Sequence, residues 1–411
     1  MTPLCRFCRA PLTETFLDLG DQPLANSYLT PAQLEAGTER AFPLHARVCS
    51  SCRLVQVDDP VAADQIFDAG YAYFSSYSVS WVEHARRYAA AMSGRFALGP
   101  GSLVVEVASN DGYLLQHFVA MGVPVLGIEP TLGTAEAARA RGVPTEVMFF
   151  GAQAGQALAD RGVRADLMAA NNVLAHVPDI GDFVDGFRRV LKPEGVLTFE
   201  FPHLLNLIEQ VQFDTIYHEH FSYLSLLAVE QVLKAHGLRA FDVELLPTHG
   251  GSLRLFCAHQ GAAHAETEAL QALRAREADA GLSKIETYRG FAPRAEAVRN
   301  EFRAFLARAK AEGKRIAAYG AAAKGNTFLN YAGVGPDDIV AAFDANPVKQ
   351  GRYLPGSHIP ILAPEKVAEV RPDYVLILPW NIRDEIIGQL GFVRDWGGRF
   401  VIATPHVQVL D

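Results

Sequence analysis

Short apolar runs bounded by turn residues recur along most of this chain. Residues 103–107, 123–128, 165–170 and 195–201 read as strands. Between them, residues 112–121, 134–141 and 183–191 read as helices, and Lys192-Pro193-Glu194-Gly195 reads as the turn that launches the last strand. Such alternation predicts a parallel sheet with helices on both faces. The Ala- and charge-rich residues 262–310 have helical periodicity and read as one long connector. Alternation restarts with strands at 315–319, 339–344 and 374–379, a second open α/β unit loosely like the first. Before all this, short strand-like pieces surround a set of cysteines. The expected fold is α/β in three blocks: a small N-terminal lobe (1–75), a Rossmann-like middle domain (76–260), and a helical connector with a second Rossmann-like domain (261–411).

Composition narrows the function. The 411 residues are 49% hydrophobic and 20% charged, enough to bury a core and too apolar for a disordered chain. Lys plus Arg is 37 against 46 Asp plus Glu, a net charge of −9 with no long basic run, which argues against nucleic acid as a partner. No apolar run reaches the roughly 18 residues of a membrane span, and Met1-Thr2-Pro3-Leu4-Cys5 has no signal-peptide pattern. A soluble cytoplasmic protein, monomeric or a small homo-oligomer, is expected.

Four of the five cysteines form two Cys-x-x-Cys pairs, Cys5/Cys8 and Cys49/Cys52. Soft thiolates at that spacing complete a tetrahedral Zn²⁺ site, and a closed Cys₄ shell is structural because no coordination position stays open. A disulfide framework is the weaker reading in a reducing compartment. Cys257 stands alone in a strand-like run and reads as a small buried hydrophobe.

The run Leu103-Val-Val-Glu106-Val-Ala108-Ser-Asn110-Asp111-Gly112 is a strand ending in a tight loop that opens a helix. The next strand ends at Glu129-Pro130, where an acid is placed for ribose hydroxyls. A dinucleotide fold wants G-x-G-x-x-G so that a pyrophosphate can approach. This loop instead carries Asp111, unfavourable beside a pyrophosphate and favourable beside a sulfonium. That contrast favours S-adenosylmethionine over NAD. Asn171-Asn172, after the third strand, and His176 just beyond resemble the post-strand motif of class I methyltransferases, as does the Lys192–Gly195 turn.

The densest acid–base cluster is Tyr217-His218-Glu219-His220-Phe221, followed by a polar knot at His249-Gly250-Gly251-Ser252-Leu253-Arg254. Histidine titrates near neutrality and suits proton abstraction. Glu219 is placed to orient a neighbouring histidine, and Tyr217 to donate to an oxyanion. His218 and His220, two apart, would share a face on a strand, so a metal-ligand reading stays open. His176 divides evenly between a structural and a functional role.

These motifs in this order resemble the S-adenosylmethionine-dependent sugar C-methyltransferases, including the nucleotide-sugar 3-C-methyltransferases of deoxysugar pathways. The resemblance covers essentially the whole chain. It runs from the paired Cys-x-x-Cys through Glu106-x-x-x-Asn110-Asp111-Gly112 and Tyr217-x-Glu219-His220-Phe221 to His249-Gly250-Gly251 and Tyr319-Gly320-Ala-Ala-Ala-Lys324. It implies a zinc-binding N-terminal lobe, a class I methyltransferase middle domain and a Rossmann-like C-terminal domain. It implies structural zinc, S-adenosylmethionine, and a 4-keto deoxysugar on a nucleoside diphosphate, commonly dTDP. It places His176, Tyr217, Glu219 and His220 in the active site, leaves position 218 unfixed, and likens the segment 71–78, with Tyr73, to a stretch that closes over substrate. Glu106, Ala108, Asn110, Asp111, Gly112, Glu129, Pro130, Asn171 and Asn172 are expected around the cofactor.

The chemistry is coherent. A ketone acidifies the adjacent C–H, a base takes that proton, and the resulting enolate carbon attacks the methyl group. His220 is the expected base, Tyr217 and His176 the holders of the enolate oxygen, and Glu219 their orienter. No catalytic metal is required. In the second α/β unit, loop amides and Lys324 form an anion site suited to a diphosphate. His249, Lys324, Asn326, Lys349, Trp380 and Asn381 are expected to bind the nucleotide sugar, with a packing role for Trp380 equally open. An O- or N-methyltransferase and a non-catalytic nucleotide-sugar-binding protein are the competing functions.

Overall fold

The computed structural model describes residues 2–58 and 74–410. Antiparallel strands β1 (Glu14–Pro23), β2 (Ala41–Val48) and β3 (Val55–Val57) open the chain. The middle sheet follows with β4 (Val104–Val107), β5 (Val125–Ile128), β6 (Thr145–Glu146), β7 (Ala165–Asn171) and β8 (Leu191–Pro202), all mutually parallel. The short β9 (Ser222–Tyr223) leaves that sheet and pairs with β3. β10 (Leu238–Leu246) and β11 (Ser252–His259) return to close the order β10-β11-β8-β7-β4-β5-β6. Strand order reverses at β4, so the loops after β4 and β7 flank the switch point where such sheets bind ligands. Every residue of β4 is buried, as a central strand covered on both faces requires.

The C-terminal sheet has β12 (Ile316–Tyr319), β13 (Ala342–Phe343), β14 (Ile361–Leu362), β15 (Tyr374–Ile377), β16 (Arg399–Ile402) and β17 (Gln408–Leu410), in the order β14-β13-β12-β15-β16-β17. Only β17 is antiparallel to its neighbour. The α/β class, with two doubly wound sheets, is therefore as expected. Among the described residues no helix is long and apolar enough to cross a membrane.

Four expected elements change. The helix after the first strand is only Leu115–Ala120, because Gly112 at φ 78° is spent on the loop turn. Lys192–Gly195 lies inside β8, absorbed as a register irregularity opposite Ala165 and Leu167. The connector is three helices, Glu268–Asp279, Ile285–Arg289 and Phe291–Ala311, broken where Gly281 turns at φ 79°. The strand expected at 339–344 is cut to two residues.

Packing joins the blocks. Phe16 of β1 is fully buried, stacks on Phe291 at 4.4 Å and meets Tyr288 edge-on at 6.3 Å. Its core continues through Phe302 and Phe328 to Ile316 of the C-terminal sheet. The cysteines pack the other way, with Val105, Met168, Leu174 and Phe183 of the middle domain. The N-terminal block thus divides its apolar surface between two domains. Phe16→Ala is expected to destabilise the protein by about 3–5 kcal/mol, the usual cost of deleting a buried phenyl ring; denaturant unfolding measures it, and a change inside experimental error would show the ring to be dispensable.

Candidate active site

Cys5, Cys8, Cys49 and Cys52 come together with all sulfurs within 4.8 Å of one another. The Cys5–Cys52 and Cys8–Cys49 separations are 3.6 and 3.5 Å. A Zn–S bond of about 2.3 Å puts tetrahedral thiolates about 3.8 Å apart, whereas a disulfide needs about 2.05 Å. The set therefore fits zinc and excludes a disulfide. Hydrogen bonds from Cys49 and then Cys52 favour the thiolate of Cys5, the form a metal ion takes. Cys257 is buried in β11, apart from this cluster.

At the switch point the loop after β4 takes two left-handed non-glycine turns, Ala108 (φ 57°) and Asn110 (φ 48°). Glu129 is buried, and its two carboxylate oxygens accept from the Asn110 and Thr131 amides at 3.0 Å each. It therefore clamps the loop while standing beside Pro130 at the end of β5. Asp111 is not the free charge that its sequence position suggests: its carboxylate is buried, ion-paired with Arg141 at 2.7 Å and bonded to Ser76. The Asp111 charge is balanced inside the protein and is not available to a sulfonium. Glu106 is wholly buried below the loop, where desolvation raises its pKa well above the carboxylate range. Asn171 reaches Tyr113 Oη at 3.5 Å, and Asn172, at φ 52°, lies 3.4 Å from His249 Nε2. The Oδ1 atoms of Asn171 and Asn172 are buried without a hydrogen-bond donor among the described residues. Such acceptors beside the switch point fit a ligand that brings N–H or O–H groups, as S-adenosylmethionine does.

The segment Tyr217–His220 folds back across the end of β7. Tyr217 Oη lies 2.9 Å from His220 Nε2, and His220 Nδ1 is 3.0 Å from the Thr215 carbonyl. The carbonyl can only accept, so Nδ1 carries the proton and Nε2 presents the lone pair. His176, on the turn Leu174–His176, meets His220 edge to face at 4.7 Å. Burial, then the neighbouring His176, holds His220 well below the usual histidine range. Burial likewise takes His176 down to about 4, against a hydrogen bond to the Glu219 backbone. Glu219 accepts from Asn26 Nδ2 at 2.6 Å, and burial raises its pKa. His218 turns away: it packs on Phe42 and bonds the Pro43 carbonyl at 3.2 Å. It shares no site with His220, so the paired-histidine metal reading fails.

The C-terminal domain supplies the opposite wall. Lys324, in the first turn of the helix Ala323–Ala332, donates to Asn381 Oδ1 at 2.6 Å and sits 4.8 Å over the Trp380 ring. Trp380 Nε1 donates to buried Asp214 at 2.6 Å, and burial pushes that carboxyl up to about 6. Lys324 also lies close enough to help lower the pKa of His249 and His220. His249 is left-handed at φ 52° and packs edge-on against Trp81 at 5.5 Å. So His249, Lys324, Trp380 and Asn381 converge on the histidine cluster.

Two expected substrate residues do not. Asn326 is fully buried and ties its helix to the Ala25 carbonyl at 2.6 Å. Lys349 is spent on the Ala321 carbonyl at 2.7 Å and Asp344 at 3.5 Å, beside Tyr28. Lys349 buttresses the loop before Lys324, and Asn326 the helix that carries it. Tyr73 lies outside the described residues. The sequence reading missed the network around buried Glu200, which takes His84 at 2.9 Å, Arg254 at 2.9 Å and Thr248 at 3.2 Å. Trp81 stacks on His84 at 4.8 Å above it. A charged residue inside the apolar run Val196-Leu-Thr-Phe-Glu200-Phe was the available signal.

Cys49→Ser is expected to lose the metal from a chain that otherwise holds one zinc, and to lose solubility with it, since three ligands cannot hold the lobe against the middle domain; elemental analysis of both proteins decides. A Cβ at Gly250 (φ 86°) would lie 2.5 Å from the Trp380 ring and 2.8 Å from Gln212. Gly250→Ala should therefore cost about 1–3 kcal/mol by overpacking, and unchanged unfolding would show that this contact yields freely.

Residues 247–405 match the family described as "C-methyltransferase C-terminal domain", residues 5–67 that described as "Putative zinc binding domain", and residues 81–243 that described as "Methyltransferase domain". C-methyltransferase NovU from Streptomyces niveus is 37% identical over 406 residues, covering 99% of this chain and 96% of its own. A ubiquinone biosynthesis O-methyltransferase from Bartonella bacilliformis is 25% identical over 105 residues, 25% of this chain and 42% of that one. Among solved structures, magnesium protoporphyrin IX methyltransferase ChlM from Synechocystis PCC 6803, with bound SAH, aligns at 17% identity and TM-score 0.36 over 48% of this chain and 92% of its own. With 37% identity to NovU sustained over nearly the whole of both chains, the protein belongs to the C-methyltransferase family that includes NovU.

Proposed function

We propose that this C-methyltransferase acts on a nucleoside-diphosphate-linked 4-keto deoxysugar, dTDP-linked and methylated at C3, with S-adenosylmethionine as donor. The observation that carries the reading is the Tyr217–His220 pair, an imidazole with a defined lone pair, within electrostatic reach of Lys324 from the C-terminal domain. S-adenosylmethionine supplies an electrophilic methyl group; Glu129, the 108–112 loop, Asn171 and Asn172 are the residues that would hold it. Everything else is the work of this chain.

The nucleotide diphosphate is assigned to Lys324 and the first amides of the helix Ala323–Ala332, where the charge and the helix dipole both favour an anion. That placement brings the sugar to the histidine cluster. Tyr217 donates to His220 Nε2 until a ketone oxygen competes for its hydroxyl; the exchange frees the Nε2 lone pair for the α-proton. His220 takes that proton while Tyr217 and His176 support the enolate oxygen. Glu219, held by Asn26, keeps the segment in place. Enolate carbon is nucleophilic where an ordinary sugar carbon is not, which is why a base and an oxyanion donor are both needed.

His220→Asn should bind S-adenosylmethionine normally and lose about 10²–10⁴-fold in rate, the usual contribution of a general base. Because burial depresses the His220 pKa, the wild-type rate should hold steady as pH falls through about 6.5, the unperturbed histidine value, and decline only below it. The direct test combines S-adenosylhomocysteine, a dTDP-4-keto sugar and D₂O. Wild type should exchange the proton next to the ketone and His220→Asn should not. Methylation of oxygen or nitrogen, or binding of the nucleotide sugar without turnover across a substrate panel, would replace this reading with one of its competitors.

A further inference from the structure

The zinc knuckle sits apart from the proposed chemistry, yet one of its side chains reaches the segments that carry both histidines. Arg6 lies between ligands Cys5 and Cys8. Its amide donates to Gln56 Oε1 at 2.8 Å, and Gln56 Nε2 in turn reaches Cys5 Sγ at 3.3 Å. The metal ligands and buried Gln56 thus fix where the Arg6 backbone stands. From there the guanidinium spreads in a fork. Nη1 donates to the Pro178 carbonyl at 2.9 Å, two residues beyond His176. Nη2 donates to the Val57 carbonyl at 2.8 Å. The same guanidinium lies 5.3 Å over the ring of Phe221, the residue after His220. Val57 closes the circuit, since its amide donates to the Phe221 carbonyl at 3.2 Å.

We propose that Arg6 is a positioning residue for catalysis, the link through which the zinc knuckle sets His176 and His220 in contact. The proposal rests on the reading of His220 as base. His176 and His220 come from distant segments, after β7 and before β9, and their rings meet at 4.7 Å. One planar cation bonded to the first segment and packed on the second fixes their separation. A lysine cannot reproduce this, because an ammonium is a point charge without the planar fork. The zinc lobe therefore contributes to turnover without touching substrate.

Arg6→Met keeps the length and the apolar stem and removes the fork. It is expected to retain one zinc per chain, the wild-type unfolding midpoint and the affinity for S-adenosylmethionine. A misplacement near 1 Å costs up to about 10²-fold in rate, so kcat should fall by about 10- to 100-fold with KM within about threefold. Deuterium exchange at the sugar carbon should fall in parallel, and Arg6→Lys should recover only part of it. His220→Asn is run alongside. If Arg6→Met turns over like wild type while His220→Asn is dead, the positioning role is wrong and the base assignment stands. If His220→Asn is as active as wild type, the base assignment itself falls. Loss of zinc or of stability in step with kcat would reduce Arg6 to a structural residue and overturn the proposal.

Discussion

A two-residue ladder holds this candidate site together. Val55 and Gln56 of β3 pair with Tyr223 and Ser222 of β9, and through that pairing the segment bearing Tyr217, Glu219 and His220 becomes part of the N-terminal sheet rather than of the middle domain. Two residue pairs are too few to persist alone. They are secured at both sides: the Tyr223 hydroxyl takes the Tyr217 amide at 3.2 Å, and Phe221 sits buried under the Arg6 guanidinium. The meeting of the two histidines then follows, because the ladder brings His220 back over the end of β7 to His176.

Electrostatics in the cleft is governed by desolvation. Burial penalises the cationic forms of His176 and His220, and the proximity of His176 adds to the penalty on His220. Burial raises the Asp214 carboxyl and lowers the Lys324 ammonium, while the attraction between them opposes both shifts. Trp380 stands between the two, donating to one and lying under the other. This arrangement ties the C-terminal domain to the segment bearing Tyr217 and His220 through Asp214, three residues before Tyr217. Gly250 permits it, since any larger side chain there would strike Trp380.

The N-terminal block has two loyalties that bear on function. Its strands pack through Phe16 on the connector and the C-terminal domain, while its cysteines pack on the methyltransferase sheet. Asn26, Tyr28 and Ala25 reach the far side of the cleft, bonding Glu219, the Ala321 carbonyl and Asn326. Relative movement of the two large domains must strain this block.

Local sequence determined a good deal. The central strands, the two α/β units and the four cysteine ligands were legible because apolar periodicity and thiolate spacing are local properties. So were the tight loop at Asn110–Gly112 and the cluster Tyr217-x-Glu219-His220. What spacing could not supply was partnership across the chain. Asp111 read as a free charge until Arg141, thirty residues on, was found against it. Lys349 and Asn326 read as ligands because they sit at strand and helix ends, and the fold spends them on the Ala321 and Ala25 carbonyls. His218 and His220 look equivalent in sequence, yet one is packed on β2 and the other faces the cleft. Each of these outcomes depends on which distant backbone or counter-charge occupies the space opposite. Burial and hydrogen-bond satisfaction are decided there, in three dimensions, and no local pattern of residues encodes them.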